Sequence, residues 1–246
     1  MRYALQWARS LLFNTQMYLA MAVMGVGVLP FAVIDRRYAF AGVRTYARYI
    51  RWSARVLIEL RSEIRGQVPD GEVLIASKHQ SFLDIILILS VLPRPKFIMK
   101  KELRWAPFVG YYAKRIGCVA VDRGKRGVAI RQMLADVESG AALPGQLIIF
   151  PQGTRVAAGK RAPYKAGVGV LYQQLGQPCI PVATNVGVFW RRRGIYRAPG
   201  LAVVEFLPPV APGMRLSDFM TMLEDRIETA SDALMAEAGL ALPKEP

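Results

Sequence analysis

Two residue types suited to proton transfer stand five positions apart in Lys78-His79-Gln80-Ser81-Phe82-Leu83-Asp84, and His79 is the only histidine in the chain. Acid–base chemistry near neutral pH favours an imidazole, because its ordinary pKa lies close to that pH. A carboxylate within reach of the ring holds its tautomer and stabilises the imidazolium that forms, which is how a base activates a hydroxyl nucleophile. The hydroxyl can come from a substrate.

The spacing dictates how the two must be carried. Five residues along an ideal helix is roughly 140° of rotation, so the pair cannot share one helix face. They meet if His79 lies in a loop and Asp84 in the first turn of the helix that follows. Ser81-Phe82-Leu83-Asp84 fits a capping box ahead of the apolar run Ile85-Ile86-Leu87-Ile88-Leu89. That role, rather than nucleophile, is the one assigned to Ser81. Val73-Leu74-Ile75-Ala76 reads as a short buried strand. His79 is thus expected just past the carboxyl end of a strand and at a helix N-terminus. Open α/β sheets place ligands there, and backbone N–H groups there favour negative charge.

Downstream of the turn signals Gly66, Pro69, Asp70 and Gly71, short apolar runs alternate with helical patterns. Strands are expected at 72–77, 96–99, 118–121, 147–151, 179–185 and 202–207, and helices at 82–91, 107–116, 126–138, 165–175 and 217–238. The alternation predicts an α/β domain over residues 66–246, with a mixed, largely parallel sheet flanked by helices. The last helix, with Leu223, Ile227 and Leu234 among acids, reads as amphipathic and solvated on its charged face. Cys118 and Cys179 sit in apolar strand-like stretches without metal or disulfide spacing, and are read as buried thiols of a cytosol-facing domain. No metal site is expected.

Residues 1–65 are of another kind. They hold ten arginines, no lysine and three acids, and Met17 to Ile34 is an uncharged, mostly apolar run of eighteen residues. Such a run spans roughly 27 Å as a helix, the lower limit for crossing a bilayer core. The run continues well past Ala20-Met21-Ala22, so it reads as an anchor and not a cleaved signal. A second helix is expected from about Phe40 to Leu60, where Arg44, Arg48, Arg51 and Arg55 fall on one face with Tyr46, Tyr49 and Trp52 elsewhere. Basic residues with aromatics predict a helix lying in the membrane interface. Residues 1–65 are therefore expected to be two membrane-anchoring helices. The basic flank favours a cytoplasmic position for the rest. Hydrophobic residues make up 53% of a chain whose net charge is +15, a combination that suits anionic membrane lipids as partners. A non-catalytic basic membrane or nucleic-acid binder, supported by Arg191-Arg192-Arg193, is the alternative of another class. No recognised nucleic-acid motif is present, so no nucleic acid is expected.

Two further segments place basic residues at strand ends. Lys96-Phe97-Ile98-Met99 runs into Lys100-Lys101-Glu102-Leu103, and Leu147-Ile148-Ile149-Phe150 runs into Pro151-Gln152-Gly153-Thr154-Arg155. Gly153 permits close backbone approach, and Arg155 can grip a phosphate through two parallel hydrogen bonds. With His79-x4-Asp84 and Ile180-Pro181-Val182-Ala183, these segments resemble the four ordered motifs of the glycerolipid acyltransferases, and most nearly the 1-acylglycerol-3-phosphate acyltransferases. The resemblance implies transfer of an acyl chain from an acyl thioester, acyl-CoA or acyl carrier protein, to the 2-hydroxyl of lysophosphatidic acid at a membrane, with no other cofactor. It implies that His79 is the base, that Asp84 orients it, and that Lys101 (or Lys100), Gly153, Thr154 and Arg155 hold the acceptor's phosphate. Another lyso-lipid acceptor, such as a lyso-ornithine lipid, remains open. Two positions depart from the family pattern. Gln152 replaces the usual Glu of the third motif, which leaves it a hydrogen-bonding role. Lys78 stands where Asn is frequent and is expected to add positive charge near the base.

Overall fold

The structure, a computed structural model, describes residues 2–121 and 144–241; the helix expected at 126–138 lies outside the described residues. Two helices lead, α1 (Arg2–Ile34) and α2 (Arg36–Ile58), followed by β1 (Leu60–Arg65), β2 (Val73–Ser77) and α3 (Leu83–Val91). Next come β3 (Pro95–Lys100), a 3-10 turn (Lys101–Trp105), α4 (Val109–Arg115), β4 (Val119–Val121) and β5 (Gln146–Ile149). The chain closes with α5 (Gly167–Leu175), β6 (Cys179–Thr184), a single turn α6 (Val186–Phe189), β7 (Gly200–Phe206) and α7 (Leu216–Glu237).

The strands form one sheet in the order β1-β7-β6-β2-β5-β3-β4. Every neighbouring pair is parallel except β6 with β7. Parallel strands must be covered on both faces, and the period-two alternation of the central strands meets that need. Ile75 and Ile148 are register partners and pack with Phe13, Ile50, Ile58, Ile86 and Leu87 of the helices on one side. Leu74 and Leu147, also partners, face Val168, Leu171, Phe219, Leu223 and Ile227 of α5 and α7 on the other. The mixed, largely parallel sheet between helical layers is the architecture the pattern predicts.

Three local expectations are corrected. Residues 60–65, placed with the helices by the sequence reading, form β1 and pair with β7 from Leu60↔Gly200 to Arg65↔Glu205. The strand expected at 147–151 ends at Ile149, because Gly153 N donates to Phe150 O at 2.8 Å and turns the chain. Helix α2 is a layer of the domain. Ala47, Ile50, Ala54 and Ile58 are buried, and three of the four stripe arginines bind protein groups. Arg44 Nη2 donates to Pro93 O at 2.7 Å, Arg48 Nε to Ser90 O at 3.2 Å, and Arg51 to Ser62 Oγ and Ser90 Oγ, both at 2.9 Å. Their face lies against α3 and β1, so it is not the face offered to a membrane.

Helix α1 is longer than the apolar run that announced it. Its first half carries polar residues that the domain satisfies: Gln6 Nε2 donates to Ile58 O and Arg197 O at 3.1 and 2.9 Å, and Asn14 Nδ2 to Ile195 O at 2.8 Å. Phe13 packs edge-on against Trp190. The opposite side leaves Leu11, Leu12, Leu19, Val23, Val26 and Val33 exposed. By length and composition α1 can cross a membrane.

Candidate active site

β2 ends at Ser77, and the next residues lead into α3 as the capping pattern requires. Ser81 Oγ accepts from Leu83 N at 3.2 Å while Asp84 Oδ2 accepts from Ser81 N and Gln80 N, both at 2.8 Å. One oxygen of a fully buried carboxylate is thereby spent on the backbone. The other, Oδ1, lies 2.9 Å from His79 Nδ1. This partner suits an Nδ1–H tautomer, which leaves Nε2 as the proton acceptor. The ring is stacked on Phe150, with centroids 3.9 Å apart and planes 17° from parallel, and Val156 N donates to His79 O at 2.8 Å. The loop after β5 thus holds the histidine from two sides.

His79 opens onto a cavity of about 610 Å³. At the histidine end the walls include Lys100, Thr154, Arg155 and Arg192. Away from it they are apolar. Phe82, just before α3, and Ile85, Ile86 and Leu89 of α3 contribute one face, with Met24 and Val28 of α1, Val43 and Tyr46 of α2, Tyr112 of α4 and Ile116 just after it. The cavity lining thus combines His79 and three cations with a majority of apolar side chains.

The sequence-expected residues divide. His79, Asp84, Lys100, Thr154 and Arg155 converge, Lys100 also pairing with Glu102 at 3.2 Å. Lys101 is exposed in the 3-10 turn and does not line the cavity. Gly153, at φ +69°, takes the left-handed conformation that glycine supplies without strain, and a Cβ there would lie 2.5 Å from Lys165 Nζ. Lys78 and Gln152 point into the domain instead. Lys78, fully buried, pairs with Glu228 of α7, whose other oxygen accepts from Tyr164 OH at 2.9 Å and Gln152 Nε2 at 3.4 Å. Burial and the Glu228 carboxylate together raise the Tyr164 pKa, so that phenol is a neutral donor. The expectation that Lys78 charges the base's surroundings is corrected: its ammonium is neutralised inside the protein.

Reading the sequence missed Arg192, whose Nη1 donates to Arg155 O at 3.4 Å. The run Arg191-Arg192-Arg193 was visible but carried no spacing to the motifs. Glu228 was missed because its helix reads as solvated. Of the two thiols Cys179 is buried as expected, whereas Cys118 is half-buried and lines the cavity. Burial pushes Cys118 up to about 11 and Cys179 up to about 12.

The layered α/β domain thus presents a half-buried His79, paired with the buried Asp84 at a strand's end, to a cavity lined by cations and apolar side chains, an arrangement suited to activating a hydroxyl. The family model described as Acyltransferase matches residues 59–185, more than half of the chain, and the protein belongs to that family. Among curated relatives, a 1-acyl-sn-glycerol-3-phosphate acyltransferase of Pseudomonas aeruginosa is 28% identical over 212 residues, covering 85% of this chain and 81% of the relative. The mouse 1-acyl-sn-glycerol-3-phosphate acyltransferase alpha is 30% identical over 186 residues, 73% of this chain and 65% of that protein. The crystal structure of the 1-acyl-sn-glycerophosphate acyltransferase PlsC from Thermotoga maritima shares the fold, with a TM-score of 0.80 at 21% identity, over 96% of this chain and 100% of that one.

Proposed function

We propose that this enzyme transfers an acyl chain from a thioester, acyl-CoA or acyl carrier protein, to the 2-hydroxyl of 1-acylglycerol-3-phosphate, yielding phosphatidic acid at the cytoplasmic face of a membrane. The observation that carries the reading is the hydrogen-bonded His79–Asp84 pair at the junction of a cationic mouth and an apolar cavity. Relatives bearing that activity's name support the acceptor.

In this reading His79 Nε2 takes the proton as the glycerol oxygen attacks the thioester carbonyl. Asp84 stabilises the imidazolium, its remaining oxygen locked by two backbone N–H groups so that the ring cannot swing away. The tetrahedral intermediate collapses, the C–S bond breaks, and the imidazolium returns its proton to the leaving thiolate. Arg155, with Lys100 and Arg192, grips the acceptor's phosphate, while Gly153 and Thr154 shape the loop that presents it. The apolar cavity takes an acyl chain. The exposed apolar side of α1 anchors the protein in anionic membrane.

A panel of lyso-acceptors offered with one labelled acyl thioester tests the proposal. Lysophosphatidic acid is expected to be the preferred acceptor, His79→Ala to abolish transfer in a folded protein, and Arg155→Ala to raise the acceptor KM more than it lowers kcat. Equal use of a lyso-ornithine lipid, or an unchanged acceptor KM in the Arg155 variant, removes the phosphate site.

A further inference from the structure

The segment from Leu103 to Tyr111 is presented in a way the chemistry of acyl transfer does not require. Trp105 is 86% exposed, the most exposed large apolar side chain among the described residues, and Leu103, Val109 and Tyr111 are exposed beside it. The backbone beneath them is tightly built. Ala106 N donates to Leu103 O, Gly110 N to Ala106 O, and Val109 N to Pro107 O at 2.6 Å, a γ-turn with Phe108 at φ 58°. A Cβ on Gly110 would lie 2.1 Å from Arg104 O, so the turn admits nothing larger than glycine there. A left-handed Phe and a fixed turn hold a tryptophan outward at a cost in strain and solvation.

What lies next to the segment indicates its partner. It is clamped to α1: Tyr112 OH donates to Gly25 O at 2.8 Å, and Arg115 to Ala32 O and Val33 O at 2.6 and 2.8 Å. Phe108 fills the space that a side chain on Gly25 would take, with its Cδ1 2.7 Å from the Cβ position. Through Phe108 the segment therefore adjoins the helix whose outer face, at Leu19, Val23 and Val26, is itself apolar. Arg104 on the segment and Lys114 just beyond it, in α4, are exposed. Tryptophan and tyrosine among cationic side chains are the chemistry of the lipid headgroup layer. Leu103, Phe108 and Val109 also line the cavity, so the segment is its rim.

We propose that Leu103–Tyr111 is a second membrane-contacting element, seated in the interfacial layer of an anionic bilayer beside α1, so that the cavity opens to lipid and not to water. This inference rests on the membrane reading of α1. It makes the rim a portal through which a lyso-lipid moves sideways from the leaflet with its chain never exposed to solvent.

Full-length protein carrying a fluorophore at Trp105→Cys, Val23→Cys or Thr229→Cys, reconstituted into phosphatidylglycerol–phosphatidylcholine vesicles, tests this with lipid-borne nitroxide and aqueous cobalt as quenchers. The unsubstituted protein gives the background from Cys118 and Cys179. Positions 105 and 23 are expected to be quenched by the lipid nitroxide, and position 229 by cobalt. Cobalt quenching at 105 with nitroxide quenching at 23 overturns the portal and leaves the anchor standing; cobalt quenching at both overturns both. In the same vesicles Trp105→Ser is expected to lower turnover of bilayer-borne acceptor about fivefold and to leave turnover of a short-chain, monomeric acceptor unchanged. An equal loss on both acceptors assigns Trp105 a structural role and overturns the proposal.

Discussion

At the scale of single residues, the two departures from the family's motifs explain each other. Lys78 brings a buried positive charge behind the loop that carries His79, and Glu228 supplies the carboxylate that neutralises it. Gln152 Nε2 leans on the same carboxylate, where a second acid would meet like charge. The pair ties α7 to the residue preceding His79. Removing one partner of a buried ion pair leaves an unpaired charge in low dielectric and typically costs about 3–5 kcal/mol, whereas an apolar replacement of both is far milder. Lys78→Met and Glu228→Leu are each expected to lower the unfolding free energy by that order, and the double variant to lose much less than the sum. Denaturant unfolding of the four proteins measures the coupling, and additive losses would show that the two residues act separately. None of this was legible in the chain. The His79–Asp84 contact was, because five positions across a loop and a first turn admit one arrangement. Glu228 sits 150 residues from Lys78, in a helix whose acids look solvated.

Among the elements, legibility followed the source of the signal. The buried central strands betrayed themselves by short apolar runs between turn residues. β1 did not, since Leu60-Arg61-Ser62-Glu63-Ile64-Arg65 is an edge strand with three of six residues charged on its open side or ends. The arginine stripe of α2 was legible as a stripe and misassigned as a surface. Spacing places Arg44, Arg48 and Arg51 on one face, but only the tertiary fold brings Ser62, Ser90 and Pro93 opposite them. Desolvation between packed elements lowers the pKa of Arg44 and Arg51, with Arg48 nearby adding to the shift. Arg51 joins three elements through Ser62 and Ser90, while Arg55 is exposed. Arg51→Ala is expected to cost about 1–3 kcal/mol through the partners it strands, and Arg55→Ala less than about 0.5 kcal/mol. Thermal unfolding in one detergent compares them; equal shifts would return the whole stripe to the membrane side.

For the whole molecule, the consequence of the fold is that no single unit owns the cavity. Its polar lining comes from the loops after β2 and β5, the end of β3 and the segment before β7, whereas its apolar walls come largely from α1, α2, α3 and α4. The leading helices therefore wall the cavity, and Gln6, Phe13 and Asn14 seat α1 on the rest of the domain. The depth of the cavity should set the chain it accepts. Along α3 the lining residues Phe82, Ile85, Ile86 and Leu89 recur at one-face spacing, and Leu89 stands roughly 10 Å from Phe82 at the end away from His79. A larger side chain there removes length without touching His79 or the cations. Leu89→Phe is expected to lower kcat/KM for long-chain thioesters by about tenfold, the equivalent of ~1.4 kcal/mol of lost burial, and to spare short-chain ones. Competition between labelled thioesters of two lengths reads the ratio directly. An unchanged ratio in a variant with normal Tm would place the acyl chain outside this cavity, and with it the reason for four helices to converge on one histidine.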